Sequence, residues 1–203
     1  MWTPAWGCSS TKGSTVIATT TARRATIIHG YDAAPEDHWF GWLAGQLESQ
    51  GIPTTVPALP DSGAPDPEGW LATIGAAVGT PDRDSIVVAH SLGCLTVLRH
   101  LHSLAGPWRL GTLVLVAGFV DPLPELPQLD AYIGDGVDVE GCGAHLDRVV
   151  VLRSDNDPFV PAGHTDRLAR ALGASAQCVP GAGHFMASDG FTSLPPVLVA
   201  CST

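Results

Sequence analysis

Residues 85–93 read Ser-Ile-Val-Val-Ala-His-Ser-Leu-Gly, and the hydrophobic period changes inside them. Ile86 to Ala89 form a short run rich in β-branched residues; beyond it apolar residues recur at Leu92, Leu95, Leu98 and Leu101. The first pattern suits a buried strand and the second one face of a helix. Ser91 therefore falls where a strand turns into a helix, with Ala89 two residues before it and Gly93 two after. A turn of that kind presents its serine alone at the end of a sheet, the arrangement of a nucleophile elbow. It equally suits any small polar residue, so the A-x-S-x-G string gains meaning only from what the rest of the chain brings to it.

Strand and helix patterns alternate on both sides of the elbow. Residues 25–29 read as a strand. Residues 35–50 read as a helix with Trp39, Phe40, Leu43 and Leu47 on one face and Pro35 in its first turn. Residues 52–58 read as a second strand, and Trp70, Leu71, Ile74, Ala77 and Val78 mark a second helix. After the elbow, strands are predicted at 112–117, 149–152 and 174–179, with a helix over 162–172. Residues 118–146 break the rhythm with Pro122, Pro124, Pro127 and several glycines, and read as a short insertion over one edge that leaves the site open. Residues 1–24, rich in Ser and Thr, read as a loosely ordered tail, so that 25–203 form one domain. Such βαβ alternation predicts an α/β architecture, about six parallel strands with helices on both faces.

The bulk numbers narrow the partners. A chain of 203 residues buries roughly 70% of its unfolded surface and needs no staples. Ten basic against twenty acidic residues give a formal charge of -10, which repels nucleic acid and anionic membranes. Residues 1–24 hold no apolar run long enough for a signal sequence or a membrane span. The five cysteines are widely spaced without a C-x-x-C pair, which points to free thiols in the cytoplasm; Cys94, on the elbow helix, reads as a packing residue. His38, His100, His102, His145 and His164 lack metal-ligand spacing, so neither a metal nor another cofactor is expected.

Polar clusters collect at the predicted carboxyl ends of the strands, where α/β sheets carry their sites. His29-Gly30-Tyr31 follows the first strand, Ser91 the third, Ser154-Asp155-Asn156-Asp157 the fifth and Gly183-His184 the sixth. A serine hydroxyl is a weak nucleophile that needs a base, and the base needs a third group to fix its tautomer. Ser91, His184 and Asp157 can supply the three roles. Asp155 is the competing acid; Pro158 restricts the conformation of Asp157, whereas Asp155 suits an Asx turn closing its own loop. The N–H groups of Leu92 and Tyr31 are the expected oxyanion donors. Gly30 would allow close backbone approach, Phe119, Phe159 and Phe185 would give an apolar pocket, and His90 reads as a supporting residue.

The blocks I-I-H-G-Y, H-W-F-G-W-L, V-A-H-S-L-G-C, S-D-N-D-P-F-V-P, G-A-G-H-F and D-G-F-T-S-L-P resemble, in order, the small serine hydrolase family named after retinoblastoma-binding protein 9, its bacterial members above all. The resemblance covers roughly residues 25–200. It implies a minimal α/β-hydrolase fold without extra amino-terminal strands, and a triad on Ser91, Asp157 and His184 in that chain order. There are two departures: the retinoblastoma-pocket motif L-x-C-x-E is absent, since Leu92 to Thr96 ends in Thr, and the closing helix looks shortened before Thr203; Ala89 departs only from the general G-x-S-x-G string. The resulting expectation is a serine hydrolase that cleaves small carboxylic esters, with amides as an alternative, through an acyl-enzyme. The competing readings are a binding or regulatory module that keeps an idle triad, and a lyase or perhydrolase using the same residues.

Overall fold

Residues that are apolar at consecutive positions become the strands in the middle of the sheet, because helices cover both their faces. The computed structural model describes residues 1 and 22–202, so the tail predicted for residues 1–24 lies, over 2–21, outside the described residues. The strands are β1 (Arg24–Ile28), β2 (Thr54–Thr55), β3 (Ser85–His90), β4 (Leu110–Val116), β5 (Leu146–Ser154) and β6 (Ala176–Val179). They form one six-stranded sheet in the order β2-β1-β3-β4-β5-β6, parallel throughout. The helices are α1 (Phe40–Ser49), α2 (Pro67–Val78), α3 (Leu92–Ser103), α4 (Asp130–Ile133), α5 (Ala162–Ala171) and α6 (Pro195–Ser202). This is the α/β-hydrolase fold.

Alternate strand residues feed two cores. Ile28, Val87, Ala89, Leu113, Leu115 and Val151 pack with α2, α3 and α5. Their neighbours Ile27, Ile86, Val88, Val114, Val116 and Leu152 pack with α1 and α6. Each such large side chain contributes about 1.5–3 kcal/mol on burial. The helix after β1 and the helix after β3 thus lie on opposite faces, which leaves a crevice between the carboxyl ends of these adjacent strands, the usual place for a ligand.

Several predicted boundaries move for local reasons. The first helix starts at Phe40, not at residue 35: Ala34 N–H donates to Asp37 Oδ2 at 2.7 Å, and His38 has φ 56°, so the chain turns before it coils. The second strand shrinks to two residues because Pro53 and Pro57 bracket it without N–H groups for the ladder. The last strand starts at Ala176 because Ala174 N–H still donates to Ala169 O, 2.8 Å, at the end of α5. Residues 118–146 are the larger correction. They are not a cover lying over one edge: Leu123, Leu129, Tyr132, Ile133 and Val139 belong to the core. Tyr132 Oη meets Thr96 Oγ1 of α3 at 2.6 Å, and the Arg99 guanidinium donates to Tyr132 O and Ile133 O at 3.0 and 2.5 Å.

Helix α3 rests directly on the end of β1. A Cβ on Gly93 would stand 2.4 Å from His29 O, and one on Gly30 2.9 Å from Ser91 Cβ. The obstruction at Gly93 is backbone and cannot rotate aside. Gly93→Ala is therefore expected to cost about 1–3 kcal/mol or more, the penalty of overpacking, read as a lowered urea midpoint; an unchanged midpoint would mean that α3 does not sit this close to β1.

Candidate active site

The chain reverses direction at Ser91 with a backbone that L-residues rarely adopt, φ 54° and ψ -125°. Conformations of this kind cost on the order of 1–3 kcal/mol and persist where surroundings enforce them. Here Ser91 N–H donates to Val116 O of β4 at 2.9 Å, and Ser91 O accepts from Cys94 N–H at 2.9 Å. Leu92 opens α3 in the first turn, where helix N–H groups lack intrahelical acceptors.

Three side chains from separate loops meet at this turn. Ser91 Oγ lies 3.0 Å from His184 Nε2, and His184 Nδ1 lies 2.8 Å from Asp157 Oδ2. A carboxylate only accepts, so the imidazole proton sits on Nδ1, which leaves Nε2 to accept from the serine hydroxyl. Both partners of the His184–Asp157 hydrogen bond are buried, with side-chain exposures of 7% for His184 and 3% for Asp157.

The loop after β5 divides its polar groups differently from the sequence expectation. Asp157 itself makes the Asx turn, its Oδ1 accepting from Phe159 N–H at 2.9 Å and Val160 N–H at 3.0 Å, which leaves Oδ2 for the histidine. Asp155 does not close its own loop. Its Oδ1 accepts from Gly181 N–H at 2.7 Å, and Asn156 Oδ1 from Gly183 N–H at 2.8 Å, so both tie down the histidine loop. Asp189, to which the sequence reading gave no role, accepts from His184 N–H at 2.9 Å and Met186 N–H at 3.0 Å. The only signal for it was its place beside Gly190 in the D-G-F block.

A cavity of about 260 Å³ opens on Ser91 and His184. Of the four expected pocket residues, Phe159 lines it, with Tyr31 and Leu126 on other walls. Phe119 and Phe185 do not: both are fully buried core, and the Phe185 carbonyl accepts from Trp39 Nε1 at 3.1 Å instead. Aromatic residues beside a polar motif look the same in sequence whether they face a ligand or the core. Gly30 is absent from the wall and serves the close packing against Ser91. Asp32, His38, Gln128 and Met186 line the cavity without having been anticipated.

Three histidines around the site are held neutral by burial. His29 accepts from Leu59 N–H through Nε2 at 3.1 Å, with Nδ1 3.0 Å from Gly30 O. His38 accepts from Ala187 N–H through Nδ1 at 3.2 Å. His90 donates through Nε2 to His184 O at 2.9 Å, its ring 4.8 Å from the His184 ring, and its Nδ1 has no partner among the described residues. Desolvation lowers the pKa of His29 and His38 and takes that of His90 well below the ordinary histidine value. Burial pushes the Cys94 thiol far up, which keeps it protonated and unreactive.

Comparison with known proteins accords with the architecture. A family model described as serine hydrolase matches residues 25–202. The protein YdeN of Bacillus subtilis (strain 168) is 35% identical over 175 residues, 86% of this chain and 92% of that protein. Its crystal structure superposes with a TM-score of 0.83, covering 88% of this chain and 96% of that one. The serine hydrolase RBBP9 of Rattus norvegicus is 24% identical over 153 residues, covering 74% of this chain and 80% of its own.

The neutral histidines generate a pH expectation. Their pKa values are lowered on folding, so below about 6.5 the unfolded chain binds more protons and stability falls with pH. The carboxylates whose pKa is lowered by ion pairing, Asp82 and Asp121, act only nearer pH 4. Urea midpoints should therefore drop between pH 7.5 and 5.0, and drop less in His90→Gln, which removes the most strongly shifted group while keeping a donor for His184 O. A midpoint that stays level over this range would contradict the neutral assignments.

Proposed function

The chain belongs to the serine hydrolase family, and we propose that it hydrolyses small carboxylic esters, with amides as slower substrates, through an acyl-enzyme on Ser91. The observation that carries this reading is the unbroken series from Ser91 Oγ to His184 Nε2, 3.0 Å, and from His184 Nδ1 to Asp157 Oδ2, 2.8 Å. In the first step His184 Nε2 takes the hydroxyl proton as Oγ adds to the ester carbonyl. The carbonyl oxygen gains the charge and is stabilised by the N–H groups of Leu92 and Tyr31, each such donor contributing ~3 kcal/mol to the transition state. Collapse releases the alcohol, which leaves with the proton from His184. Water then adds to the acyl group with His184 again as base, and Ser91 recovers its proton as the acid departs. Asp157 keeps the imidazole in the required tautomer throughout. No cofactor enters these steps. The free thiols of Cys94, Cys142, Cys178 and Cys201 fit a cytoplasmic enzyme.

Labelling by a fluorophosphonate tests the nucleophile. Ser91 is expected to be modified and Ser91→Ala to be inert while folding normally; a label retained in the variant would remove Ser91 from the mechanism. The acid is tested by a pair of variants. Asp157→Asn, which presents an amide to His184 Nδ1, should lower turnover by up to roughly four orders of magnitude. Asp155→Asn should lose little, because its amide oxygen still accepts from Gly181 N–H. Turnover numbers in the opposite order would transfer the acid role to Asp155.

A further inference from the structure

A second cavity, about 350 Å³, adjoins the first and shares Tyr31 and Gln128 with it. Neither Ser91 nor His184 lines it; Gly63, Pro65 and Tyr132 do. Asp32 stands at the junction. It lines the first cavity, and its Oδ1 would be 3.4 Å from a Cβ on Gly63, a residue of the second.

The position of Asp32 is fixed by its backbone. Its φ is 49°, a left-handed conformation in which Asp and Asn are enriched, and its N–H donates to Ser62 O at 2.8 Å. The side chain is exposed to the cleft. Among the described residues the Asp32 carboxylate forms no ion pair. No lysine or arginine lines either cavity; of the three histidines on the first wall, His38 and His90 are held neutral by burial, and His184 turns its Nδ1 proton to Asp157. The negative charge of Asp32 is therefore unopposed where the two cavities join.

Chemistry decides which half of an ester meets it. The alcohol departs with the proton carried by His184, so it lies on the His184 side of Ser91. The acyl group is left to run the other way, past Tyr31 and Gln128. We infer that the acyl half of the substrate extends from Ser91 past Asp32 into the second cavity, and that Asp32 selects cationic or neutral acyl groups over anionic ones. This rests on the hydrolase reading for the direction of the acyl group.

The test uses three 4-nitrophenyl esters of comparable length: 6-(trimethylammonio)hexanoate, its uncharged carbon isostere 7,7-dimethyloctanoate, and the half-ester of suberate. In the wild type kcat/KM should rise about five-fold from the neutral to the cationic ester and fall by a similar factor for the anionic one, the size of a partly solvated charge contact. Asp32→Asn, which keeps the shape and tolerates the same backbone, should bring the three ratios close to one. Equal values in the wild type, or a preference that survives Asp32→Asn, would overturn the inference. Calorimetric binding of the same esters to Ser91→Ala, with and without Asp32→Asn, gives a reading independent of turnover. The same order of affinities there, with no hydrolysis by the wild type, would end the hydrolase reading and leave the charge selection standing; equal affinities would end the charge selection alone.

Discussion

The elbow is possible because two backbones touch where side chains would ordinarily keep them apart. Gly93 brings the first turn of α3 onto His29 O, and Gly30 brings the loop after β1 onto Ser91. These contacts hold the serine against the end of β1 in an unfavourable backbone conformation. The sheet order puts β1 beside β3, and the opposite placement of α1 and α3 opens the crevice there. Position of the serine and shape of the crevice therefore have one origin.

The histidine partner has no such scaffold of its own. His184 sits on a loop, and its placement comes from hydrogen bonds in four directions: its N–H donates to Asp189 and its Nδ1 to Asp157, while its carbonyl accepts from His90 and its Nε2 from Ser91. Asp155 and Asn156 fasten the same loop upstream, at Gly181 and Gly183. Each bond is modest, about 1 kcal/mol net. Their number, spread over elements distant in sequence, is what fixes the ring to within hydrogen-bonding distance of the hydroxyl.

The strand-to-helix switch at Ser91, the parallel sheet and its central strands were legible because periodicity records burial, and burial is what the central strands of a covered sheet share. The edges were less so. β2 and β6 are short and half exposed, and their limits follow from Pro57 and from the way α5 closes at Ala174, which are details of local hydrogen bonding. Among the candidate site residues, Ser91 was legible from the strand-to-helix switch, whereas His184 and Asp157 gained meaning only beside it, with Asp155 competing for the place of the acid. Phe119 and Phe185 misled because an apolar side chain gives no sign of which side of a wall it faces. Asp189, Gln128 and Met186 were invisible for another reason: their contribution is a backbone bond or a stretch of wall, and neither demands a particular neighbourhood in sequence.

Residues 118–146 supply Leu126 and Gln128 to the cavity, and they are fastened through Tyr132 and Arg99 to the same helix that begins at Ser91. One helix therefore ties this stretch of cavity wall to the turn at Ser91. For an evolving enzyme this separates two tasks: replacements at Leu126 and Gln128 can retune which molecules fit, while the anchoring residues behind them keep the reacting groups in register.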